Sequence, residues 1–521
     1  MARTRGAIWA WLSPLLVAVS LLLLPAAMAG DSESPIKKVV VLVLENRSFD
    51  HILGWMKRSV NPAIDGLTGS ECNRVSSGDP SSPPVCVTDD AHFVVSDPPH
   101  SFEAVQQQIF GSGAGAGEPS MSGFVQSATA VSPSLARGVM SGFPPEKLPV
   151  FAALARDFAV FDRWFSSMPG PTQPNRLFLF SATSAGATAH VKEELARGYP
   201  QRTIFDSLHA DGLDFGVYAE SLPCALFLRS LRRLRYAGKF HRFAAFKEHA
   251  RRGRLRSLSV VEPRYFDIAG APADDDHPSH DVANGQRLVK EVYEALRAGP
   301  QWNQTLLVVT YDEHGGFFDH VPTPATGVPS PDAARGPPPA RFAFDRLGVR
   351  VPALMASPWI KKGTVVARAN GPTASSEYEH SSIPATLKKL FNLSSPFLTR
   401  RDAWAGTFEH VVGELTSPRT DCIEVLPEVA PLRGTGAEEE AELSELQSEL
   451  VQLAADLQGD EAVSRLVAES SGRMTVRQAS EYVDDAMAGF LRAGREALRM
   501  GLEDSTEVDV WSGLASRTRF Q

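Results

Sequence analysis

The chain lacks most of the short motifs that identify an activity directly, and each absence narrows the range of functions. It has no Walker A motif and no glycine-rich dinucleotide fingerprint, which argues against a nucleotide-dependent enzyme. It has no Gly-x-Ser-x-Gly elbow, which argues against a serine hydrolase of that type. Its net charge of -9 argues against a general nucleic-acid binder, because such proteins are usually basic.

Cysteine is scarce, with 4 residues in a chain of 521. These cysteines form no CxxC motif and no Cys/His cluster, which argues against a zinc site. Cys72 and Cys86 flank a loop rich in Ser, Pro and Gly, and they are the favoured pair for a disulfide. A bridge between Cys224 and Cys422 is the other pairing that we consider.

One long apolar run is present, over residues 7–24, and two arginines precede it. A small-x-small pattern ends at Ala29, so we expect residues 1–29 to be a secretory signal. The run is long enough that an uncleaved anchor helix is the alternative. No later segment is apolar enough to span a bilayer. We therefore expect a secreted or extracellular protein, with retention at the endoplasmic reticulum or plasma membrane as alternatives.

The region from residue 36 to about 425 alternates strand-like apolar runs with helical patterns and Gly/Pro loops. This alternation predicts an α/β fold with a mainly parallel sheet. A helix is expected over residues 286–297. The strands are expected at residues 39–44, 158–161, 215–218, 259–262, 306–310 and 351–356.

The remainder of the chain predicts a linker and a small helical C-terminal region. Residues 431–440 contain an acidic run, and a second helical stretch covers 476–500. The first helix carries leucines at alternating spacings of three and four, and we expect it to pack back on the catalytic domain rather than form a coiled coil with a partner. These leucines are Leu443, Leu446, Leu450, Leu453 and Leu457. The predicted divisions are 1–29, 30–430 and 431–521.

Acidic residues follow two of the predicted strands directly. Glu45 and Asn46 come directly after the first strand, and their carboxylate and amide oxygens suit a hard divalent cation. Asp312 and Glu313 end a later strand, where a cation would relieve their mutual repulsion. One alternative is that Glu45 forms a salt bridge with Arg47 while Asn46 caps the following helix. The other is a solvated acidic loop at 312–313.

The segment Met168–Arg176 contains three prolines and a glycine around Thr172. A hydroxyl held in such a stiff loop can act as a nucleophile. The alternative is that Thr172 only caps the helix that follows.

Several histidines lie beside acidic and turn residues, a pattern typical of a site that stabilises phosphoryl charge or protonates a leaving group. His280 with Asp281 is the favoured orienting pair. His314, between Glu313 and two glycines, is a candidate for contacting the charged group of a substrate or for holding a carboxylate.

Five runs in fixed order resemble the phosphoesterase family of non-specific phospholipases C and related acid phosphatases. Three further segments resemble the plant-type members: NPAIDGLTG, YAGKFHRF and ELQSELVQLAADLQGD. The five runs are ENRSFDHILGWMK (45–57), PGPTQPNRLF (169–178), DDDHPSHDV (274–282), TYDEHGGFFDHVPTP (310–324) and EYEHSSIPATLKKLF (377–391). One departure is Gln173, where many relatives would have histidine.

The resemblance implies an alkaline-phosphatase-like three-layer α/β/α core and phosphoryl transfer through Thr172. It implies that Glu45, Asn46, Asp312 and Glu313 hold a divalent metal or another positively charged centre. It also implies that His100, His241 and His280 contact the phosphate or the leaving group.

The expected reaction is that of a phospholipase C, a phosphoric diester hydrolase, acting at a membrane surface. It would convert phosphatidylcholine to diacylglycerol and a phosphorylated headgroup through a phospho-threonine. The close alternative is a secreted acid phosphatase for soluble monoesters. A lipase needs an apolar rim, which Phe317, Phe318 and the loop 322–339 are expected to supply. A lipid-binding protein with a degenerate site is the non-enzymatic alternative, and it predicts missing ligands.

Overall fold

The strand that precedes Glu45 consists of seven residues, KVVVLVL, and six of them are buried. A continuous apolar run of this kind is typical of a strand covered on both faces. In the computed structural model it lies near the centre of an eight-stranded sheet. The structure describes residues 34–94, 96–113, 117–464, 474–502, 507–508 and 515–516. The predicted signal segment 1–29 lies outside these residues.

The central sheet contains all six predicted strands. Their bounds are β1 Lys38–Leu44, β4 Ala159–Phe161, β6 Phe215–Tyr218, β8 Leu258–Val261, β9 Thr305–Tyr311 and β10 Ala353–Ala356. Two short strands at the edges were not predicted, β7 Phe240–His241 and β11 Thr364–Val366. The order across the sheet is β11-β4-β10-β9-β1-β8-β6-β7. The remaining strands form small pairs: β2 Cys72–Arg74 with β3 Pro84–Cys86, β5 Trp164–Phe165 with β12 Tyr378–Glu379, and β13 Glu507–Val508 with β14 Ala515–Ser516.

The sheet is mainly parallel. β1 is parallel to both of its neighbours, β9 and β8, and only β10 runs antiparallel to the strands beside it. Leu44, the last residue of β1, pairs with Tyr311, the last residue of β9. The residues that follow these two strands therefore leave the sheet at the same edge and at the same level.

The helices surround this sheet in two groups. α6 contacts α12 and the strands β4 and β10, whereas α7 contacts α9 and α13. Residues of α7, α9 and α13 line one small cavity together with Val41 of β1 and Val260 of β8. The predicted α/β class with helices around the sheet is confirmed.

The helices before α15 are α1 Phe49–Ile52, α2 Met56–Ser59, α3 Phe102–Phe110, α4 Phe124–Thr129, α5 Pro133–Gly138, α6 Pro149–Asp157, α7 Thr172–Ser181, α8 Lys192–Arg197, α9 Ile204–Ala210, α10 Leu234–Ala237, α11 Phe243–Arg251, α12 Val282–Arg297, α13 Ser382–Leu390 and α14 Arg400–Trp404. Short 3-10 turns lie at Cys224–Phe227, Arg229–Arg232, Trp302–Gln304 and Glu409–Val412.

Two C-terminal helices follow, α15 Glu445–Gln458 and α16 Val476–Arg499. A capping box formed by Ser444 and Gln447 begins α15. Its leucines are buried, and the helix contacts α8 and α16. The prediction that this helix packs back on the catalytic region is therefore confirmed. The described residues from Pro35 onward belong to one compact unit, and the division at residue 431 stays a prediction.

One disulfide joins Cys72 to Cys86, as predicted, and it links the short paired strands β2 and β3. Cys224 and Cys422 are buried and free, so the alternative bridge between them is not formed. Among the described helices, none is both long enough and apolar enough to cross a membrane.

Candidate active site

The acidic residues that follow β1 and β9 lie together at one edge of the sheet. Glu45, Asn46, Asp312 and Glu313 are at most 1% exposed. The backbone amide of Asn46 donates to Asp312 Oδ1 at 3.3 Å, which joins the two strand ends directly. The alternative of a solvated acidic loop at 312–313 is therefore wrong.

Thr172 points its hydroxyl at this acidic edge. It is the first residue of α7 and is 3% exposed. Its Oγ1 donates to Glu313 Oε1 at 2.8 Å. Pro171, not Thr172, occupies the N-cap position, and α7 has no side-chain cap. The structure thus places the predicted nucleophile against a carboxylate, and the interpretation of Thr172 as a simple helix cap is wrong.

Arg176, one helical turn after Thr172, carries the positive charge at the centre of the site. Its Nε donates to Asp312 Oδ2 at 2.7 Å, and a terminal nitrogen donates to Glu45 Oε1 at 3.1 Å. Its other terminal nitrogen donates to the Tyr265 hydroxyl at 3.0 Å. Glu45 thus pairs with Arg176 rather than with Arg47, whose Nε donates to the carbonyl of Asp276.

Asn46 adopts a left-handed backbone conformation, with φ of 55°. Such a conformation is uncommon for a non-glycine residue and is found at constrained functional sites. Gly315 lies against it so closely that an added Cβ would stand 2.3 Å from the Asn46 carbonyl oxygen. Asn46 does not cap the next helix, because Ser48 does. The glycine therefore lets the two strand-end turns approach each other.

Two buried oxygen atoms at this edge of the sheet have unsatisfied hydrogen-bonding capacity. Asn46 Oδ1 and Glu313 Oε2 are buried and have no hydrogen-bond partner among the described residues. Such groups are costly unless a further partner satisfies them. Burial raises the pKa of Glu45 well above its usual range despite the nearby Arg176, and burial with the charge of Asp312 does the same for Glu313. The donor set and the excess negative charge fit a cation held at Asn46 Oδ1 and Glu313 Oε2 beside Arg176.

Asp97 connects the strand ends to two histidines. Its Oδ1 accepts from Asn46 Nδ2 at 3.3 Å, and its carboxylate lies 3.6 Å from His100 Nδ1 and from His277 Nε2. His100 Nδ1 also donates to the carbonyl of Pro98 at 2.8 Å. Asp97 and His277 line a cavity of about 560 Å³ together with His280. The structure therefore brings His100 close to the predicted cluster.

His280 is oriented by a different carboxylate from the one predicted. Its Nδ1 donates to Asp275 Oδ1 at 2.6 Å. Burial alone would lower the pKa of His280, but the charge and hydrogen bond of Asp275 raise it. Asp281 instead caps α12 by accepting from the amide of Ala283. The prediction that Asp281 orients His280 is wrong because helix capping occupies that side chain.

The structure does not bring His314 and His241 to Thr172 in any contact that it describes. His314 Nε2 donates to Gln108 Oε1 at 2.8 Å, and burial lowers its pKa to about 3, so it is neutral. His241 lies on the edge strand β7, separated from β1 by β8 and β6, and stacks on Tyr218. Burial lowers the pKa of His241 to about 4.

A second group of residues could also hold a metal ion. Ligand atoms of Asp50, Asp319 and His320 all lie within 4.8 Å of one another. The guanidinium of Arg350 already contacts Asp50 at 2.8 Å and Asp319 at 3.1 Å. This arginine supplies the positive charge that a metal would otherwise provide, and the group braces the loop after β9.

The two phenylalanines expected to form an apolar rim are buried. Phe317 is 0% and Phe318 is 5% exposed. Phe317 packs on His51 with ring centroids 3.9 Å apart, and Phe318 packs on Phe124. Their place in the core means that neither contributes an exposed surface for acyl chains, so that expectation is wrong.

Sequence reasoning missed at least four residues that the structure places at or beside this site: Arg176, Asp97, Asp275 and Glu449. The spacing of four between Thr172 and Arg176 was a usable signal, because residues four apart share one face of a helix. Asp97 lies in a loop without periodicity. Glu449 lies in the C-terminal helix, 276 residues from its partner Gln173.

Comparison with known proteins identifies relatives over most of this chain. The sequence pattern described as the Phosphoesterase family matches residues 36–394. Non-specific phospholipase C6 of Arabidopsis thaliana is 63% identical over 486 residues, which cover 93% of each chain. Phospholipase C B of Mycobacterium tuberculosis is 27% identical over 457 residues, covering 76% of this chain and 83% of that protein. A solved structure from Vibrio parahaemolyticus, described as a protein in the alkaline phosphatase superfamily, covers 50% of this chain and 64% of its own at 10% identity. The TM-score of that comparison is 0.29.

Proposed function

The chain belongs to the Phosphoesterase family, and on that basis we propose that it is a phospholipase C that forms a phospho-Thr172 intermediate. The names of its relatives, non-specific phospholipase C6 and phospholipase C B, support phospholipids as the substrate class. The observation that carries the proposal is the buried Thr172 hydroxyl, which donates to Glu313 beside the positive charge of Arg176.

In the first step, Thr172 Oγ1 bonds to phosphorus while its proton passes to Glu313 Oε1. The bond between phosphorus and the glycerol oxygen breaks, and His280 protonates that oxygen to release diacylglycerol. The hydrogen bond from Thr172 Oγ1 to Glu313 Oε1 gives the proton a direct path to the carboxylate, and the raised pKa of His280 favours the imidazolium that this step needs.

In the second step, water bonds to phosphorus and the bond from Thr172 breaks. Glu313 returns its proton to Thr172, and the proton of the water passes to the now neutral His280. Phosphocholine leaves when phosphatidylcholine is the substrate. Arg176 stays paired with Glu45 and Asp312 in both steps and holds the two strand ends together. Asp97 lines the same cavity as His280, and His100 lies 3.6 Å from Asp97. These two residues would contact the phosphate or its headgroup.

We infer that a divalent metal ion binds at the strand ends. Glu45, Asn46, Asp312 and Glu313 would hold it, with Asn46 Oδ1 and Glu313 Oε2 as the oxygens that Arg176 leaves unmet. When bound, such an ion lowers the pKa of a coordinated hydroxyl and offsets phosphoryl charge.

Removal of the metal should lower turnover by about 100-fold or more, and elemental analysis of untreated protein should find about one divalent ion per chain. The Asn46→Leu variant should bind less metal by calorimetry, which is a readout independent of activity. Full activity in protein shown to be metal-free would contradict the metal assignment and leave Arg176 as the cation of the site.

We also infer peripheral contact with the membrane. The end of α16 exposes arginines beside apolar side chains, and this combination suits an anionic bilayer surface. The arginines are Arg492, Arg495 and Arg499, and the exposed apolar residues are Leu498, Met500 and Leu502.

We infer that the protein enters the secretory pathway. The Cys72–Cys86 disulfide suits an oxidising compartment. Asn303-Gln-Thr and Asn392-Leu-Ser match the N-glycosylation sequon, and both asparagines are exposed, where glycans could attach. Asn46 also stands in a sequon, but it is fully buried at the candidate site.

The proposed substrate class is tested by comparing phosphatidylcholine with p-nitrophenyl phosphate. We expect kcat/KM for phosphatidylcholine to be higher by about 100-fold or more, because a diesterase uses binding energy from the whole lipid. Mass spectrometry should find diacylglycerol and phosphocholine in equal amounts. A preference for the monoester would instead support the acid phosphatase alternative.

A further inference from the structure

The C-terminal helix α15 carries a buried carboxylate among its leucines. Glu449 is 1% exposed and lies between the buried residues Leu446, Leu450 and Leu453. A buried charge is costly unless other groups pair with it. The partners of Glu449 therefore indicate why this helix carries an acid on its packed face.

Gln173 is the first of these partners, and it directly follows the nucleophile Thr172. Its Nε2 donates to Glu449 Oε1. Its Oε1 accepts from the backbone amide of Val191 at 3.2 Å and from the hydroxyl of Tyr199 at 2.8 Å. The Gln173 amide is thus held from three directions, and the side chain is fully buried.

His190 is the second partner. Its Nδ1 lies 2.8 Å from Glu449 Oε1, and its Nε2 lies 2.8 Å from Glu445 Oε2. Burial alone would lower the pKa of His190, but Glu449 and Glu445 raise it to about 10. His190 is therefore an imidazolium at neutral pH and balances the charge of Glu449.

We propose that Glu449 is a positioning residue for catalysis, which acts through Gln173 to fix Thr172 in its attacking orientation. The inference rests on the proposed function of Thr172. A displacement of about 1 Å at a reacting group can lower turnover by about 100-fold, so a fixed neighbour is of direct catalytic value. The C-terminal helix thereby completes the nucleophile loop without contacting the reacting atoms.

The test measures kcat and KM separately on a soluble short-chain phosphatidylcholine. In Glu449→Met, which removes the acceptor but keeps the length and the helix preference, we expect kcat to fall by roughly 10- to 100-fold. KM should stay within about twofold, because Glu449 binds no substrate. Glu449→Gln keeps an acceptor for Gln173 and should recover most of the lost kcat.

Glu445→Gln is the matched control. Glu445 contacts the same histidine but is 71% exposed and does not touch Gln173. Exposed ion pairs contribute little, so its kcat should stay within about twofold of the wild-type value. Thermal unfolding should be measured for every variant, and we expect each to be fully folded at the assay temperature.

A double-mutant cycle distinguishes positioning from general packing. Gln173→Met breaks the same contact from the other side and leaves the Glu449–His190 ion pair in place, so it also serves if Glu449→Met does not fold. The kcat of the double variant should be no lower than that of the less active single variant, because both substitutions remove the same contact between Gln173 and Glu449. Wild-type kcat in Gln173→Met, or additive losses in the double variant, would overturn the inference.

The same experiment separates this inference from the proposed function. If the wild-type protein hydrolyses p-nitrophenyl phosphate but no phospholipid, the proposed substrate class fails, and the cycle can be run on the monoester. If the wild type is active on phospholipid and the variants keep its kcat, only the positioning role fails.

Discussion

Thr172→Ala should abolish hydrolysis of phosphatidylcholine, with kcat lower by at least about 1,000-fold, while the protein remains folded. The reason is that Thr172 supplies the only hydroxyl that the described structure shows donating to Glu313 at this edge of the sheet. The loss of one buried hydrogen bond should lower the free energy of unfolding by about 1–3 kcal/mol. Phosphocholine release and urea unfolding measure the two effects separately.

Two further variants make the assignment of Thr172 specific. Thr172→Val keeps the volume and the branched shape but not the hydroxyl, so it should be as inactive as Thr172→Ala. Thr172→Ser keeps a hydroxyl with more rotational freedom and should retain part of the turnover. Mass spectrometry of acid-quenched wild-type protein should find phosphate on the peptide that contains Thr172. Wild-type turnover in Thr172→Val would rule out a covalent role for this residue.

The central strands of the fold could be predicted because a strand buried on both faces appears in the sequence as a continuous apolar run. β1 and β9 are continuous apolar runs, buried almost throughout, and both were predicted to within a residue or two. The edge strands β7 and β11 have two and three residues. Segments so short are strands because a neighbour pairs with them, and their own residues carry too little pattern to show it.

The same contrast holds at the candidate site. The proximity of the ends of β1 and β9 could be predicted from the sequence, because the carboxyl ends of parallel strands share one edge of a sheet. Adjacency in sequence predicts that Asp281 orients His280. In the folded protein the hydrogen bond is instead made by Asp275, five residues earlier in the chain. Glu449 reaches Gln173 across 276 residues of chain. Contacts of that kind depend on how helices dock on the core, which periodicity does not encode.

Arg176→Gln should be the most destabilising change at the site. Arg176 is 2% exposed and is the shared partner of Glu45 and Asp312, which are buried just as deeply. Removing one member of a buried ion pair leaves an uncompensated charge and typically costs about 3–5 kcal/mol. We therefore expect the free energy of unfolding to fall by about that amount, measured by urea denaturation, and kcat to fall by about 100-fold or more.

The double variant Arg176→Gln/Asp312→Asn separates the two effects. Neutralising Asp312 removes one of the charges that Arg176→Gln leaves unpaired, so more than half of the lost stability should return. Activity should not return, because the strand ends then lack both the guanidinium and one carboxylate. Arg176→Lys keeps the charge but not the planar guanidinium that reaches Asp312, Glu45 and Tyr265 together. Its free energy of unfolding and its kcat should therefore lie between those of the wild type and Arg176→Gln. If Arg176→Gln kept wild-type stability only when divalent metal is present, a bound ion rather than the arginine would be balancing the charges of Glu45 and Asp312.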